Sequence, residues 1–161
     1  MSNIVVGISD LNIGKGSDVL VTYALGSCVG ICIFDPMTKV GGLSHIMLPS
    51  STLNNPGAVN PMRFADTAIV MLIRKLEAAG ALRVRMKAKI AGGAQMFSAI
   101  GNSSLANIGA RNVEAVKKVL AQERIPIIAE DTGKNYGRTV HFSPGDGIMH
   151  IVSANKGKWD W

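Results

Sequence analysis

Aromatic residues are scarce in this chain of 161 residues, 5% of the total, and the scarcity denies it the stacking platforms on which single-stranded nucleic acids are bound. A nucleic-acid reading rests on the net charge of +6 alone, which argues association rather than fold, and no nucleic-acid partner is expected. There are two cysteines, Cys28 and Cys32. Four positions apart in an extended segment, they are too distant to bridge, so no disulfide framework is expected. Together with three scattered histidines they lack the paired-ligand spacing of a closed zinc site, and no metal is expected. No uncharged apolar run reaches the ~18–20 residues of a membrane span, and Met1 to Asp10 lacks the basic start and apolar stretch of a signal peptide. A cytoplasmic protein without an integral membrane segment is expected. The eleven acidic residues form no evident acid–base pair, and no phosphate-binding glycine motif opens a predicted helix. Glycosidase, kinase and dinucleotide chemistry are set aside.

What is abundant is aliphatic: hydrophobic residues make up 47% of the chain, enough to offset the entropy of ordering it, and the length suits one domain over 1–161. Ile4 to Ile8, Val19 to Leu25, Cys28 to Phe34 and Val40 to Leu48 read as strands, the last two forming a hairpin around Asp35-Pro36-Met37-Thr38-Lys39. Asn60-Pro61 is a helix start and Gly80 a stop, with Phe64, Ala68, Met71, Leu72 and Leu76 as the inward stripe. From Leu82 to Ile90 apolar residues alternate strictly with Arg83, Arg85, Lys87 and Lys89, which predicts a strand with one cationic face. A second helix is expected from about Ala110 to Gln122, followed by strands at Ile125 to Ala129, Arg138 to Phe142 and Ile148 to Val152. The tail to Trp161 has no period. Strands and helices do not alternate regularly, so the fold class expected is α+β, a layered α/β sandwich of mixed and antiparallel sheets with two main helices.

The segment Gly26-Ser27-Cys28-Val29-Gly30 is the most suggestive chemically. Small residues flank a thiol, and the backbone amides of Ser27 and Cys28 are placed to cradle an oxyanion. If Asp35 pairs with Val40, His45 falls opposite Gly30 and diagonal to Cys28, on the same face. Gly30, with no side chain, then leaves a gap for an imidazole and a substrate amide. Cys32, His141 and His150 are read as structural. The long loop from Gly92 to Gly109 carries Met96, Phe97 and Ile100 in a stretch rich in Gly, Ser and Asn, which marks a candidate partner-docking surface.

Four motifs carry a family resemblance: Leu25-Gly26-Ser27-Cys28-Val29; Gly41-Gly42-Leu43-Ser44-His45-Ile46-Met47-Leu48-Pro49; Lys89-Ile90-Ala91-Gly92-Gly93-Ala94; and Ile108-Gly109-Ala110-Arg111-Asn112. In order and spacing they resemble the CheD family of chemoreceptor glutamine deamidases. The resemblance implies an α/β sandwich similar to the catalytic domains of deamidating toxins, with Cys28 as nucleophile, His45 as base and Thr22 as the residue that positions the histidine. It implies no cofactor, and it implies two partners, the cytoplasmic helices of chemotaxis receptors and the chemotaxis phosphatase CheC. A non-catalytic module that regulates CheC is the alternative function.

Overall fold

In the structure, a computed structural model describing residues 2–51, 60–96, 107–154 and 156–161, the chain is organised around one hairpin. Strands β4 (Val29–Asp35) and β5 (Val40–Ile46) are buried at every position, which explains why both read as continuous apolar runs rather than alternating ones. Their turn is closed by the Asp35 carboxylate, which accepts from the Met37 amide at 2.9 Å, and by Lys39 in the left-handed region at φ 61°. Asp35 pairs with Val40 and the ladder runs to Val29 opposite Ile46.

The remaining strands are β1 (Asn3–Val5), β2 (Asp10–Lys15), β3 (Val19–Leu25), β6 (Lys87–Gly92), β7 (Ile127–Thr132), β8 (Arg138–Phe142), β9 (Met149–Ser153) and β10 (Gly157–Asp160); the helices are α1 (Ala65–Ala78) and α2 (Ile108–Gln122). One sheet has the order β2-β5-β4-β6-β7, the other β1-β3-β8-β9-β10, and each contains one parallel pair. Val29, Ile31 and Ile33 of β4 join Leu72, Leu76, Val116 and Leu120 of the helices in one core cluster. Cys32 and Phe34 from the opposite face join Leu20, Leu25, Val140 and Ile151 in another. Three layers result, helices on sheet on sheet, so the expected α/β sandwich of mixed sheets is the fold observed.

Two adjacent glycines let both outer layers close on β5. A Cβ at Gly41 would stand 3.0 Å from Pro144 Cβ, on the second sheet's side, and one at Gly42 would stand 2.5 Å from Leu72 Cδ1 of α1. At the far edge, Arg138 of β8 is fully buried and ion-paired to Asp131 of β7 at 2.9 Å. The same carboxylate accepts from the indole N–H groups of Trp159 and Trp161, fastening β10 and the tail.

Several expectations are corrected. The alternating run from Leu82 is a strand only from Lys87; Arg83–Arg85 form a 3-10 turn. The Asp35 carboxylate captures this segment, accepting from the Leu82 amide at 2.9 Å and from Arg85 at 2.9 and 2.8 Å, and Val84 is left 89% exposed. The cationic face is therefore dispersed: Arg83 pairs with Glu123, Arg85 with Asp35, and Lys89 donates to the Trp161 carbonyl. The first strand is Asn3–Val5, and Ile8 is exposed. The helix begins at Ala65 because Phe64 is extended and bridges to Leu48, behind a 3-10 turn over Pro61–Arg63. β6 and β7 run on to Gly92 and Thr132, and β2 and β10 are additional strands.

If Gly42 is a layer contact, Gly42→Val should lower unfolding stability by ~1–3 kcal/mol through overpacking. Gly7→Ala, where an added Cβ meets nothing within 4 Å, should leave it nearly unchanged. Equal urea midpoints for the two variants would refute the close approach.

Candidate active site

Between β3 and β4 the chain leaves one sheet for the other, and the crossing is the turn Gly26-Ser27-Cys28. Three successive carbonyls there are engaged: Gly26 by the Ala94 amide at 2.8 Å, Ser27 by the Asn112 side chain at 2.9 Å, and Cys28 by the Gly93 amide at 2.8 Å. Gly92, at φ 109°, has no Cβ to keep the Cys28 carbonyl away; one placed there would lie 2.2 Å from it. The Cys28 side chain is half-buried against the inter-sheet cluster.

His45 pairs with Gly30 across the hairpin, which places it on the face of the sheet shared by Cys28, Gly30 and Cys32. The open gap expected over Gly30 is absent: Leu25 Cδ1 and Leu43 Cδ1 fill it, at 3.1 and 3.7 Å from where a Cβ would be. Thr22 reaches His45 because β3 belongs to the opposite sheet. A simple hairpin through Gly26-Ser27 would have aimed Thr22 away. Across the sandwich its Oγ1 lies 2.7 Å from His45 Nδ1 and 2.7 Å from the Val6 carbonyl.

Those two distances fix the tautomer. A carbonyl only accepts, so the Thr22 hydroxyl donates to Val6 and must accept from His45 Nδ1–H. The lone pair of the imidazole is then on Nε2, which is buried and has no hydrogen-bond partner among the described residues. Burial holds His45 down to a pKa of about 4, with no carboxylate beside it to stabilise an imidazolium. Burial likewise pushes the Cys28 thiol up, while its own backbone N–H, which the sulfur faces, works more weakly the other way. Both groups rest neutral near pH 7. A neutral thiol and a neutral imidazole thus share one face of the sheet, the residue types of a nucleophile and a general base.

Thr22, Ser27, Cys28 and His45 are thus brought to one seam between the sheets. Cys32 is fully buried and its thiol is pushed far up by desolvation. His141 and His150 face each other on the second sheet, away from the site, with His150 bound to Asp160 at 2.6 Å. Met96 is 46% exposed, and its Cγ would stand 3.2 Å from a Cβ at Gly26. Phe97 and Ile100 lie outside the described residues. Among the described residues no three metal-ligating side chains cluster, and no helix is long and apolar enough to cross a membrane. Asn112, which also donates to the Met47 carbonyl at 2.9 Å, is a further residue of the site. Its only signal was membership of the fourth motif.

Fold and site together define a class, a three-layer α/β sandwich with a neutral thiol and a neutral imidazole at the seam of its sheets. A family model described as CheD chemotactic sensory transduction matches residues 47–153, a span that begins just beyond His45. Longer matches cover the site as well. The chain is 51% identical over 152 residues to the "Probable chemoreceptor glutamine deamidase CheD" of Clostridium novyi (strain NT), covering 94% of this chain and 93% of that one. It is 48% identical over 153 residues to the "Chemoreceptor glutamine deamidase CheD" of Halalkalibacterium halodurans, covering 95% and 94%. The chain belongs to the CheD family.

The depressed His45 pKa links stability to pH. The unfolded chain, with an ordinary value of 6.5 against about 4 when folded, takes up the proton first as pH falls. The stability conferred by the neutral imidazole is therefore complete above about pH 6.5 and is lost toward pH 4. Melting temperature should drop across that window more steeply in the wild type than in His45→Gln; coincident slopes would exclude His45 as the titrating group.

Proposed function

We propose that this chain is a protein-glutamine deamidase that acts, in the cytoplasm, on the helical cytoplasmic regions of chemotaxis receptors. The observation that carries the reading is the Nε2 of His45, without a partner among the described residues and kept basic by the Thr22 hydrogen bond to Nδ1, on the sheet face of Cys28. The names of the relatives supply the substrate class.

The chemistry follows from the resting protonation states. As the Cys28 sulfur bonds to the side-chain amide carbon of a glutamine, its proton passes to His45 Nε2 and the carbonyl electrons move onto oxygen. The backbone N–H groups of Ser27 and Cys28 receive that oxyanion. When the carbonyl re-forms, the C–N bond breaks and ammonia leaves with the proton from the imidazolium, giving a thioester. His45 then deprotonates water, the hydroxide adds to the thioester, and glutamate departs as Cys28 recovers its proton. Throughout, Thr22 keeps Nδ1 protonated and so keeps Nε2 basic. No cofactor enters. The product differs from the substrate by one negative charge on the receptor helix.

The phosphatase CheC, the second partner implied by the family resemblance, is part of the same proposal, with the rim beside Cys28 as its docking surface. Met96 sets exposed apolar surface directly on the turn that carries Cys28.

Mass spectrometry of a receptor fragment tests the proposal. The wild type should produce a one-dalton gain at particular glutamines, Cys28→Ala none, and Thr22→Val a kcat reduced roughly tenfold to a hundredfold through lost orientation of the base. Added CheC should slow the reaction. Undiminished turnover by Cys28→Ala would overturn the nucleophile assignment.

A further inference from the structure

Asn112 is completely buried on α2 among Val113, Val116 and Leu120, and its Oδ1 has no hydrogen-bond partner among the described residues, a cost that the two bonds of its Nδ2 offset. Its Nδ2 donates to carbonyls from two separate elements, Ser27 in the crossing turn and Met47 just past β5, each at 2.9 Å. Two acceptors fix the orientation of the amide, since neither carbonyl can donate. The close seating of α2 makes this reach possible. A Cβ at Gly109 would stand 2.3 Å from the Ala94 carbonyl and 2.5 Å from that of Gly93, so the first turn of the helix rests on the loop that grips Cys28.

The Ser27 carbonyl and the Cys28 amide are opposite ends of one peptide plane, which is trans. Drawing the carbonyl toward Asn112 turns the Cys28 N–H the other way. The neighbouring Gly26 and Cys28 carbonyls are held by backbone amides; the central plane alone is set by a side chain. We infer that Asn112 is a positioning residue. By holding the Ser27 carbonyl it aims the Cys28 N–H at the oxyanion, and through Met47 it ties that donor to the strand bearing His45. The inference rests on the deamidase reading above and adds to it a residue that touches no reacting atom.

The test separates aim from general loosening. Asn112→Leu, similar in size but without a donor, is compared with Val116→Ala on the same helix at matched loss of melting temperature. Two readouts are taken: kcat and KM on a receptor fragment, and the rate at which iodoacetamide alkylates Cys28, a displacement that forms no oxyanion. Asn112→Leu should lose at least about tenfold in kcat, as misdirection of an oxyanion donor predicts. Its KM and alkylation rate should stay within about twofold, the pattern of an interaction made only in the transition state. Val116→Ala should keep kcat. If Asn112→Leu does not fold, Asn112→Ser carries the same comparison. A folded Asn112 variant with wild-type kcat overturns the inference, as does a fall in kcat matched by Val116→Ala or accompanied by an equal fall in alkylation. Absence of deamidation by the wild type, or its survival in Cys28→Ala, instead rejects the deamidase reading itself, whatever Asn112 does.

Discussion

The rest of the structure depends on the pairing of β4 with β5. Both strands are dry on both faces, so a slip of one residue would exchange the side chains facing the helices for those facing the second sheet. It would turn His45 toward α1, and Leu43 with it, while Cys32 on β4 stayed facing the second sheet. The turn at Asp35 fixes the register at one end, and the glycines at 41 and 42 fix the spacing of the layers. Among the described residues, position 45 is the one place where a polar ring from this sheet meets a hydroxyl from the other.

That meeting differs electrostatically from a triad anchored by a carboxylate. Thr22 orients the ring and selects its tautomer but contributes no charge, so burial acts unopposed on the imidazole and outweighs the backbone N–H at the thiol. A standing thiolate–imidazolium pair is disfavoured in the resting protein. A neutral, half-buried thiol reacts more slowly than a thiolate, which limits indiscriminate reaction at Cys28.

Much of this could be read from residues in order. The hairpin register follows from one turn, and the inward stripes of both helices follow from their spacing. What stayed hidden depended on distant partners. The alternation from Leu82 to Ile90 is real, yet the first half of it is taken by Asp35, nearly fifty residues upstream. β10 exists because Asp131 gathers Trp159 and Trp161, a contact with no local signal. Gly26-Ser27 has the composition of a hairpin turn but is a crossing between sheets, so the role of Thr22 came from family resemblance and its geometry only from the fold. Asn112 reads as an ordinary polar helix residue until the Ser27 and Met47 carbonyls are found above it.

The crossing at Gly26-Ser27-Cys28 makes the site a property of an interface inside the molecule. Thr22 and His45 are anchored in different sheets, each of which could keep all its own ladder hydrogen bonds while sliding by an ångström against the other. Such a shear would part hydroxyl from imidazole without exposing any core residue to water. Backbone spectroscopy would register an intact protein while the Thr22–His45 hydrogen bond was broken, so the tolerance of the site to heat, pressure or denaturant is set by how firmly two greasy faces grip each other, rather than by the strength of either sheet.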